Sequence, residues 1–485
     1  MQLYEGEACC SVIYDRNNRV QGICILVFGR NRSISISSDF ENLVDIVSVA
    51  FRRNVMQIQA AQFLRQVSIN AETMSKLAAS EDDLVRMDER ISRHVLLPAI
   101  RRQLLRLEAI ASSMIDGTHV SFSDLLRFEA VIINTPSALR APSSLFYRAV
   151  QMGLDCPEGA VSAVLYLDAL EWISQNISCR KPVPTDLFQQ IISRFDANAI
   201  EREAAKWSRI PASEDAFVIL EPKKDEGHRV RIGEKEYIDF VNSDLFTPCA
   251  QAELSHAMLQ AIGLGQHKED GYERALSHVI LYHRGVLTKS VAPLAIGPLI
   301  DIERHAESIY QNMSALSTTD RDSNHAEYNF DDTAFCTTAS VKTMHLVTRA
   351  FETMKADWMN DLRLPRNSNK AVARLVDLFF EYGYLTINFA SKEMGKSFST
   401  TSAAMQTLVA SGLVKEAGHI NKHRVFCAIN MVNFFDSLLV KLMASITVTR
   451  DEALARIDEH TTRESDRARS FDAVIKSELL LEVDE

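Results

Sequence analysis

Apolar residues recur at helical spacing on both sides of a polar segment in the middle of the chain. The upstream set is Leu254, Ala257, Met258, Ala261 and Ile262, and the downstream set is Ala275, Leu276, Val279, Ile280 and Leu287. Spacings of three and four residues predict two helices that bury these faces in a core. Residues 263–274 between them are too polar to be buried and are predicted to form a loop. This loop leads into a helix N-terminus, where backbone amides can hold a phosphate.

Two segments alternate between apolar and polar residues, which is typical of strands. Residues 10–28 alternate around a turn at residues 15–19, which predicts a β-hairpin. Apolar residues from Phe40 to Ile58 then recur mostly every three or four positions and predict a long helix. Residues 226–241 alternate as well and predict a second small hairpin, with Gly233 in its turn.

Charged and polar residues predict two exposed segments. Residues 81–93 mix acids and bases, and we expect a solvent-exposed helical connector there. Residues 317–335 are rich in Thr, Asp, Asn and Ser and predict a polar loop.

Residues 369–432 predict a self-contained unit. Their order is a helix, a short helix, a turn at Gly395, a third helix, and two strands with a turn at Gly418 and His419. This is the order of a winged helix-turn-helix. From about Thr449 onward, the sequence predicts a charged, solvated helix.

Composition narrows the classes of protein. A chain of 485 residues, 46% hydrophobic and 24% charged, is typical of a globular protein of about three domains. A net charge of -11 argues against wholesale binding of nucleic acid or anionic membranes, so any such contact must be local.

The eight cysteines show no C-x-x-C and no Cys/His ligand spacing, which indicates neither a zinc site nor a disulfide framework. With no apolar run of membrane-spanning length, we expect a cytoplasmic protein with reduced thiols.

The central helix–loop–helix resembles proteins of the Fic (Fido) family. Members of this family have a mostly helical fold and transfer AMP from ATP to a hydroxyl side chain. Their loop reads H-x-F-x-(D/E)-G-N-G-R-x-x-R, in which the His is the general base, the acid holds Mg²⁺, and the Gly-Asn-Gly backbone and the Arg residues bind phosphates. Without gaps, Gly263 stands at the His position, His267 at the acid and Gly271 at the first Arg, while Arg274 matches the second Arg. Glycine cannot abstract a proton, so this register implies a disabled site.

A second register keeps more of the motif. Residues 267–274, HKEDGYER, match the family loop with one residue deleted. This register implies His267 as base, Asp270 for metal, Gly271 as the tight-turn glycine and Arg274 for phosphate. It needs an insertion before the loop and deletions in and after it, whereas the ungapped register keeps both helices aligned.

An earlier segment resembles the regulatory segment that precedes the Fic core. A helix is predicted with Leu104, Leu107 and Ile110 facing the core, and it is broken at Asp116. The family's motif (S/T)-x-x-x-E-(G/N) sends a Glu to the second Arg of the loop. The matching residues here are Ser112, Asp116 and Gly117. The resemblance therefore implies a pair between Asp116 and Arg274, and the alternative is that Asp116 caps the following helix.

Local charge in the C-terminal unit makes DNA a predicted partner. The basic residues Lys392, Lys396, Lys415, Lys422 and Arg424 outnumber the acids Glu393 and Glu416. The candidate DNA contacts are the basic residues Lys396, Lys422 and Arg424 and the hydroxyl residues Ser397, Ser399, Thr400 and Thr401 at the start of the third helix. In the alternative, the strand pair packs on the helical core or on a second subunit and does not contact DNA.

The expected fold class is mainly α, in five parts. Residues 1–80 are similar to the second half of a GAF sensor domain with a linker helix, or else form a dimerising helix capped by a hairpin. The other parts are the inhibitory-type segment (95–150), a Fic-like core with a small β-hairpin flap (151–365), the winged helix (366–440) and a charged tail (441–485).

Two classes of function follow from these expectations. The favoured class is a regulatory or DNA-binding pseudoenzyme that forms a homo-oligomer and needs no cofactor and no metal. The alternative is an active protein adenylyltransferase that uses ATP and Mg²⁺ with His267 and Asp270.

Overall fold

In the computed structural model, the chain divides into two compact units. The described residues are 9–14, 20–27, 30–32, 70–115, 120–135, 154, 157–184, 186–195, 234–261, 271–301, 304–305, 308, 312, 328–362, 370–420 and 422–443. The first unit combines residues 1–68 with 212–241, and the second combines residues 69–211 with 242–485.

The first unit contains a three-stranded antiparallel sheet in the order β1-β2-β3. Its strands are β1 (Cys9–Tyr14), β2 (Val20–Val27) and β3 (Arg30–Arg32). The backbone pairing of Cys9 with Leu26 and Tyr14 with Val20 confirms the predicted hairpin, to which β3 adds a strand. The long helix predicted from Phe40 to Ile58 lies outside the described residues.

The second predicted hairpin is wrong over its described part. Residues Glu234–Val241 form a helix in the first unit instead of a strand. Tyr237, Ile238 and Val241 are buried and recur at spacings of one and three, which puts them on one face of a helix. The short alternating pattern was compatible with both periods, and tertiary packing decided between them.

The second unit is mainly helical. Its helices from the start of the unit to residue 195 are α1 (Ala71–Ser92), α2 (Leu97–Ile115), α3 (Phe122–Asn134), α4 (Pro157–Asn176) and α5 (Leu187–Phe195). The helix of the first unit is numbered α6 (Glu234–Val241). The second unit continues with α7 (Pro248–Ala261), α8 (Tyr272–His283), α9 (Ile296–Ile300) and α10 (Asp331–Leu362). Within the described residues, no helix is long and apolar enough to cross a bilayer.

Helix α2 is the centre of the second unit. Apolar and polar side chains on every side of it are buried, as expected for a helix that is surrounded by others. It packs against α4, α9 and α10. Helix α8 packs against α4 and α7, so that the two helices predicted around the central loop do form core elements. The loop between them lies outside the described residues.

Helix α1 corrects the prediction of an exposed connector. Leu77, Leu84 and Ile91 are fully buried, and this face packs along α10. Asp88 is buried on α1 and accepts hydrogen bonds from the backbone N–H of Thr288 (3.1 Å) and Ser290 (2.9 Å). The charged residues do lie on the exposed face of α1. The prediction missed the buried face, because its apolar residues are seven positions apart and stand among charged residues. The polar loop predicted for residues 317–335 also ends early, since α10 begins at Asp331.

The C-terminal elements form a compact layer on α2 and α3. They are α11 (Lys370–Tyr382), β4 (Tyr384–Thr386), α12 (Ile387–Met394), α13 (Phe398–Ala410), β5 (Lys415–Ile420), β6 (His423–Cys427) and α14 (Ile429–Met443). The strands make an antiparallel sheet in the order β4-β6-β5. Gly395 ends α12 with a left-handed backbone (φ 59°), a conformation that glycine adopts without a steric penalty.

The turn of the C-terminal hairpin is not where it was predicted. Gly418 lies inside β5 at a shift in register between Glu416 and Gly418, and the last backbone pair of the hairpin is Ile420 with His423. A glycine with positive φ marks a β-bulge as readily as a turn, and the sequence does not distinguish the two.

Polar contacts hold this layer in place. Gln103 and Arg106 of α2 donate to the carbonyl oxygens of Phe380 (2.5 Å) and Glu381 (2.7 Å). These carbonyls belong to the last turn of α11 and have no partner inside their own helix. At the other end of the layer, the Ser123 N–H of α3 donates to Asp436 of α14 (3.1 Å).

The contact at Asp436 predicts a specific pH dependence. Burial raises the pKa of Asp436 to about 6, from an ordinary value of 3.8. An acid whose pKa is raised by folding binds more protons in the folded state, so its contribution to stability falls as pH rises between about 4 and 6. Asp436→Asn removes this titrating group. We expect the stability of the variant relative to the wild type to rise by about 3 kcal/mol across that window and to level off above it. Chemical denaturation at several pH values measures the difference, and a flat difference would contradict the assignment.

Candidate functional site

The central feature of the helical core is a contact between α2 and the first turn of α8. Arg274 donates from Nε to the hydroxyl of Ser112 (2.6 Å) and from Nη2 to the Ser112 carbonyl (3.2 Å). Ser112 is fully buried in the last turn of α2. A cation at this place complements the negative end of the helix dipole and satisfies a carbonyl that has no partner in its own helix.

Gly271 allows the close approach of α8 to this contact. A Cβ at position 271 would lie 2.6 Å from a ring atom of Tyr166 and 3.1 Å from the Ser112 hydroxyl. Its φ of −68° is one that any residue can adopt, so the backbone conformation itself does not require glycine. Glycine is needed here because Tyr166 and Ser112 occupy the space that a side chain would take.

A buried carboxylate lies one turn before Ser112. Glu108 accepts from the N–H of Ala295 (2.8 Å) and from the Tyr166 hydroxyl (3.3 Å), and its carboxylate is 3.9 Å from Nε2 of His278. Burial raises the pKa of Glu108, and the nearby His278 opposes the shift. The two nitrogens of His278 face the carbonyl oxygens of Arg274 (3.1 Å) and Ala292 (2.9 Å). These contacts join α2, α4 and α8 in one polar network inside the core.

This network borders a cavity of about 80 Å³ in the second unit. Its polar lining comes from α2, α7, α8 and α10 and from a segment before α10. The ionisable residues are Glu108, Glu253, His256, Arg274, His278, His305 and Asp332, together with the thiols of Cys249 and Cys336. A further carboxylate, Glu273, is buried beside it, with Oε1 3.7 Å from His256 Nε2. The sequence did not indicate this cavity, because its residues are spread over more than 200 positions and share no motif.

Several predicted site residues lie outside the described residues. They are Asp116 and Gly117 in the regulatory segment and His267 and Asp270 in the central loop, as well as Gly263. The structure therefore brings together Ser112, Gly271 and Arg274 from the predicted set. The pair between Asp116 and Arg274 stays a prediction.

The second candidate surface is the exposed face of α13. Ser397 is the N-cap of this helix and accepts from the N–H of Thr400 (3.2 Å), while the hydroxyls of Ser399 (3.0 Å) and Thr400 (2.8 Å) lie beside its own. Lys396, Ser399 and Thr400 are exposed. Thr401 is buried and donates to the Ser397 carbonyl, so its hydroxyl faces the core and is left out of this surface.

The strand pair extends the basic character of this region. Lys422 is exposed at the hairpin turn with a left-handed backbone (φ 69°), and Arg424 is exposed 3.5 Å from Glu416. Two polar residues on α13, Gln406 and Thr407, were missed by the sequence analysis. Gln406 is exposed and Thr407 is partly exposed. Their spacing from Ser399 and Thr400, seven residues in each case, was the available signal, since such positions share one face of a helix.

Comparisons with known proteins do not place the chain in a family. No protein-family model matches it, and no curated protein matches it.

Proposed function

We propose that this chain is a Fic-like regulatory protein that binds DNA through a C-terminal winged helix-turn-helix and does not transfer nucleotides. The observation that carries the proposal is the architecture of residues 370–443. Their order of helix, strand, helix, turn, helix and two strands, closed by a sheet in the order β4-β6-β5, is typical of a winged helix. In such a unit α13 is the recognition helix and the β5–β6 hairpin is the wing.

Exposure and charge support α13 as the surface that meets DNA. Its sequence, FSTTSAAMQTLVA, contains no charged residue, and its exposed positions are small or polar apart from Phe398 and Val409. Lys396 precedes it, and Lys422 and Arg424 stand on the wing. A helix of this kind can enter the major groove without repelling phosphates, while the basic residues at its edges contact the backbone.

The contact between Arg274 and Ser112 supports a Fic-like core. In the family that the sequence resembles, the Glu of the regulatory motif meets the second Arg of the loop. Arg274 holds the position of that Arg, and Ser112 holds the first position of the motif, four residues before Asp116, so the contact brings the two motifs together. The ungapped register, in which Arg274 is the second Arg, leaves Gly263 where the base belongs. A site without a side chain at that position cannot abstract a proton from a target hydroxyl.

The DNA-binding proposal predicts a loss of affinity in Lys396→Glu and Thr400→Glu. We expect each to weaken binding by the full chain about tenfold or more, because a carboxylate faces the phosphates. The ligand is a duplex selected from a random library by the wild type, and fluorescence anisotropy at several salt concentrations measures affinity. Loss of Lys396 should also reduce the salt dependence by about one phosphate contact.

Arg86→Glu is the matched control for charge. It makes the same change on α1, where the Arg86 side chain is 71% exposed, and it should leave affinity unchanged. If all three variants bind as the wild type does, or if no duplex is selected, the winged helix does not act on DNA.

The competing function, AMP transfer from ATP and Mg²⁺, is tested separately. We expect no transfer of labelled AMP to the chain itself or to proteins of a lysate. Labelling that disappears in His267→Ala would overturn the pseudoenzyme part of the proposal and leave the DNA-binding part standing.

A further inference from the structure

Three side chains with metal-binding atoms meet in the wall of the cavity described above. They are His305, Asp332 and Cys336, and one ligand atom from each lies within 4.8 Å of the other two. Asp332 and Cys336 are four residues apart on α10 and therefore share one helix face. Gly297 of α9 packs directly on Cys336, and a Cβ at position 297 would lie 2.6 Å from its Sγ. This close packing fixes the position of the thiol.

The distances among the three residues approach those of a tetrahedral ion. Cys336 Sγ is 3.8 Å from Asp332 Oδ2, and His305 Nδ1 is 2.7 Å from the same oxygen. Usual zinc bond lengths place sulfur and oxygen about 3.6 Å apart, and nitrogen and oxygen about 3.4 Å apart, around one ion. The sulfur–oxygen distance is close to this value. The imidazole must move by less than about 1 Å to make room for an ion.

The second oxygen of Asp332 gives an independent reason to expect a ligand. Asp332 Oδ1 is buried, and no hydrogen-bond donor among the described residues reaches it. A buried carboxylate oxygen without a hydrogen bond is costly and unusual in a native protein. Arg304 Nε lies 3.7 Å away, but its guanidinium donates to the Asp331 carbonyl (2.9 Å) and stacks on Phe335.

Charge in the cavity favours a divalent cation. Glu253 lines the same space and accepts from the Tyr328 hydroxyl (3.2 Å), and His256 lies one turn further along α7. The charged groups that act on Cys336 are Asp332, Glu253 and Arg304. Together with the Cys336 thiolate they carry a net charge of two negative units, which a divalent ion neutralises. A sulfur and a nitrogen ligand favour zinc and similar transition metals over Mg²⁺ or Ca²⁺.

We propose that His305, Asp332 and Cys336 bind a divalent transition-metal ion of the Zn²⁺ type, with a fourth coordination position open to the cavity. Binding replaces the proton of the Cys336 thiol with a metal–sulfur bond, and the proton leaves to solvent. His305 binds as the neutral imidazole. This proposal does not depend on the function proposed above.

Cobalt titration tests the site directly. The full chain is treated with a chelator, dialysed and titrated with Co²⁺, which gives a thiolate-to-cobalt absorption band in the near ultraviolet when a cysteine is a ligand. We expect this band in the wild type, its loss when Zn²⁺ is added, and a higher midpoint of thermal unfolding with Zn²⁺ than with chelator. Cys336→Ser should abolish the band, and His305→Gln and Asp332→Asn should weaken metal affinity about 100-fold or more.

Cys249→Ser is the matched control, because Cys249 is another buried thiol that lines the same cavity. It should keep the band and the affinity of the wild type. The proposal is overturned if the wild type gives no charge-transfer band, or if the band survives in Cys336→Ser. The wild-type titration alone can contradict the proposal. The test therefore remains valid if a variant of a ligand residue fails to fold.

Discussion

Glu129→Gln is expected to lower the free energy of unfolding by about 3–5 kcal/mol. Glu129 is buried on α3 and accepts from Arg106 Nε (2.6 Å) and Arg102 Nη2 (2.9 Å) on α2. Burial alone would raise the pKa of Glu129, but Arg106 and Arg102 outweigh it and hold that pKa below its ordinary value. A neutral amide keeps the shape and leaves the fully buried Arg106 guanidinium without its counter-ion. Chemical denaturation monitored by circular dichroism measures the loss.

Two comparisons isolate the buried charge as the cause. Glu171→Gln removes the other acid near Arg102, at 3.4 Å, but its side chain is 27% exposed, and we expect a cost of less than about 1 kcal/mol. The double variant Arg106→Met, Glu129→Met removes both charges and should recover part of the stability. The recovery is incomplete because the Glu381 carbonyl loses its donor and Arg102 loses one of its two carboxylates. If Glu129→Gln costs no more than Glu171→Gln, water or another residue must compensate Arg106.

Phe435→Ala should destabilise the chain by about 3–5 kcal/mol. The Phe435 ring of α14 is fully buried, stacks on Phe122 of α3 at 4.3 Å between ring centroids, and meets Phe351 of α10 edge-on at 5.8 Å. Truncation leaves a cavity where three helices meet. It also weakens the attachment of the C-terminal layer to the core, so we expect faster proteolysis of residues 370–443 as well as a lower unfolding midpoint.

Phe398→Ala is the control for this aromatic truncation. Phe398 is the first residue of α13 and is 56% exposed, so its loss should change stability by no more than about 0.5 kcal/mol. Equal effects of the two substitutions would show that Phe435 does not join the layers.

Elements with a strong local signal were predicted from the sequence. The helices on both sides of the central loop, the hairpin around residues 15–19 and the helices of the C-terminal unit all have clear apolar periods. Strand β4 was missed because it has only three residues, and three residues define no period. The hairpin predicted for residues 226–241 failed where tertiary packing selected a helix.

The candidate sites were less predictable than the elements. Ser112 and Arg274 were selected because a resemblance aligned two distant segments, and the structure places them in contact. His305, Asp332 and Cys336 were not selected, since only Asp332 and Cys336 are near each other in sequence and an acid four residues before a cysteine is no motif. A site of this kind forms only when separate parts of the chain pack together. The periodicity of apolar residues describes a single helix or strand and does not show which elements meet.

The hydrogen bonds from Gln103 and Arg106 to the end of α11 restrict how the C-terminal unit can be studied. A fragment that begins at residue 370 would expose the carbonyls of Phe380 and Glu381 and the apolar face around Phe435 to water. Such a fragment would self-associate through that face. A DNA affinity measured on it would then be that of the aggregate and not of the folded unit. Only the intact chain presents α13 to solvent while the opposite side of the same unit stays covered.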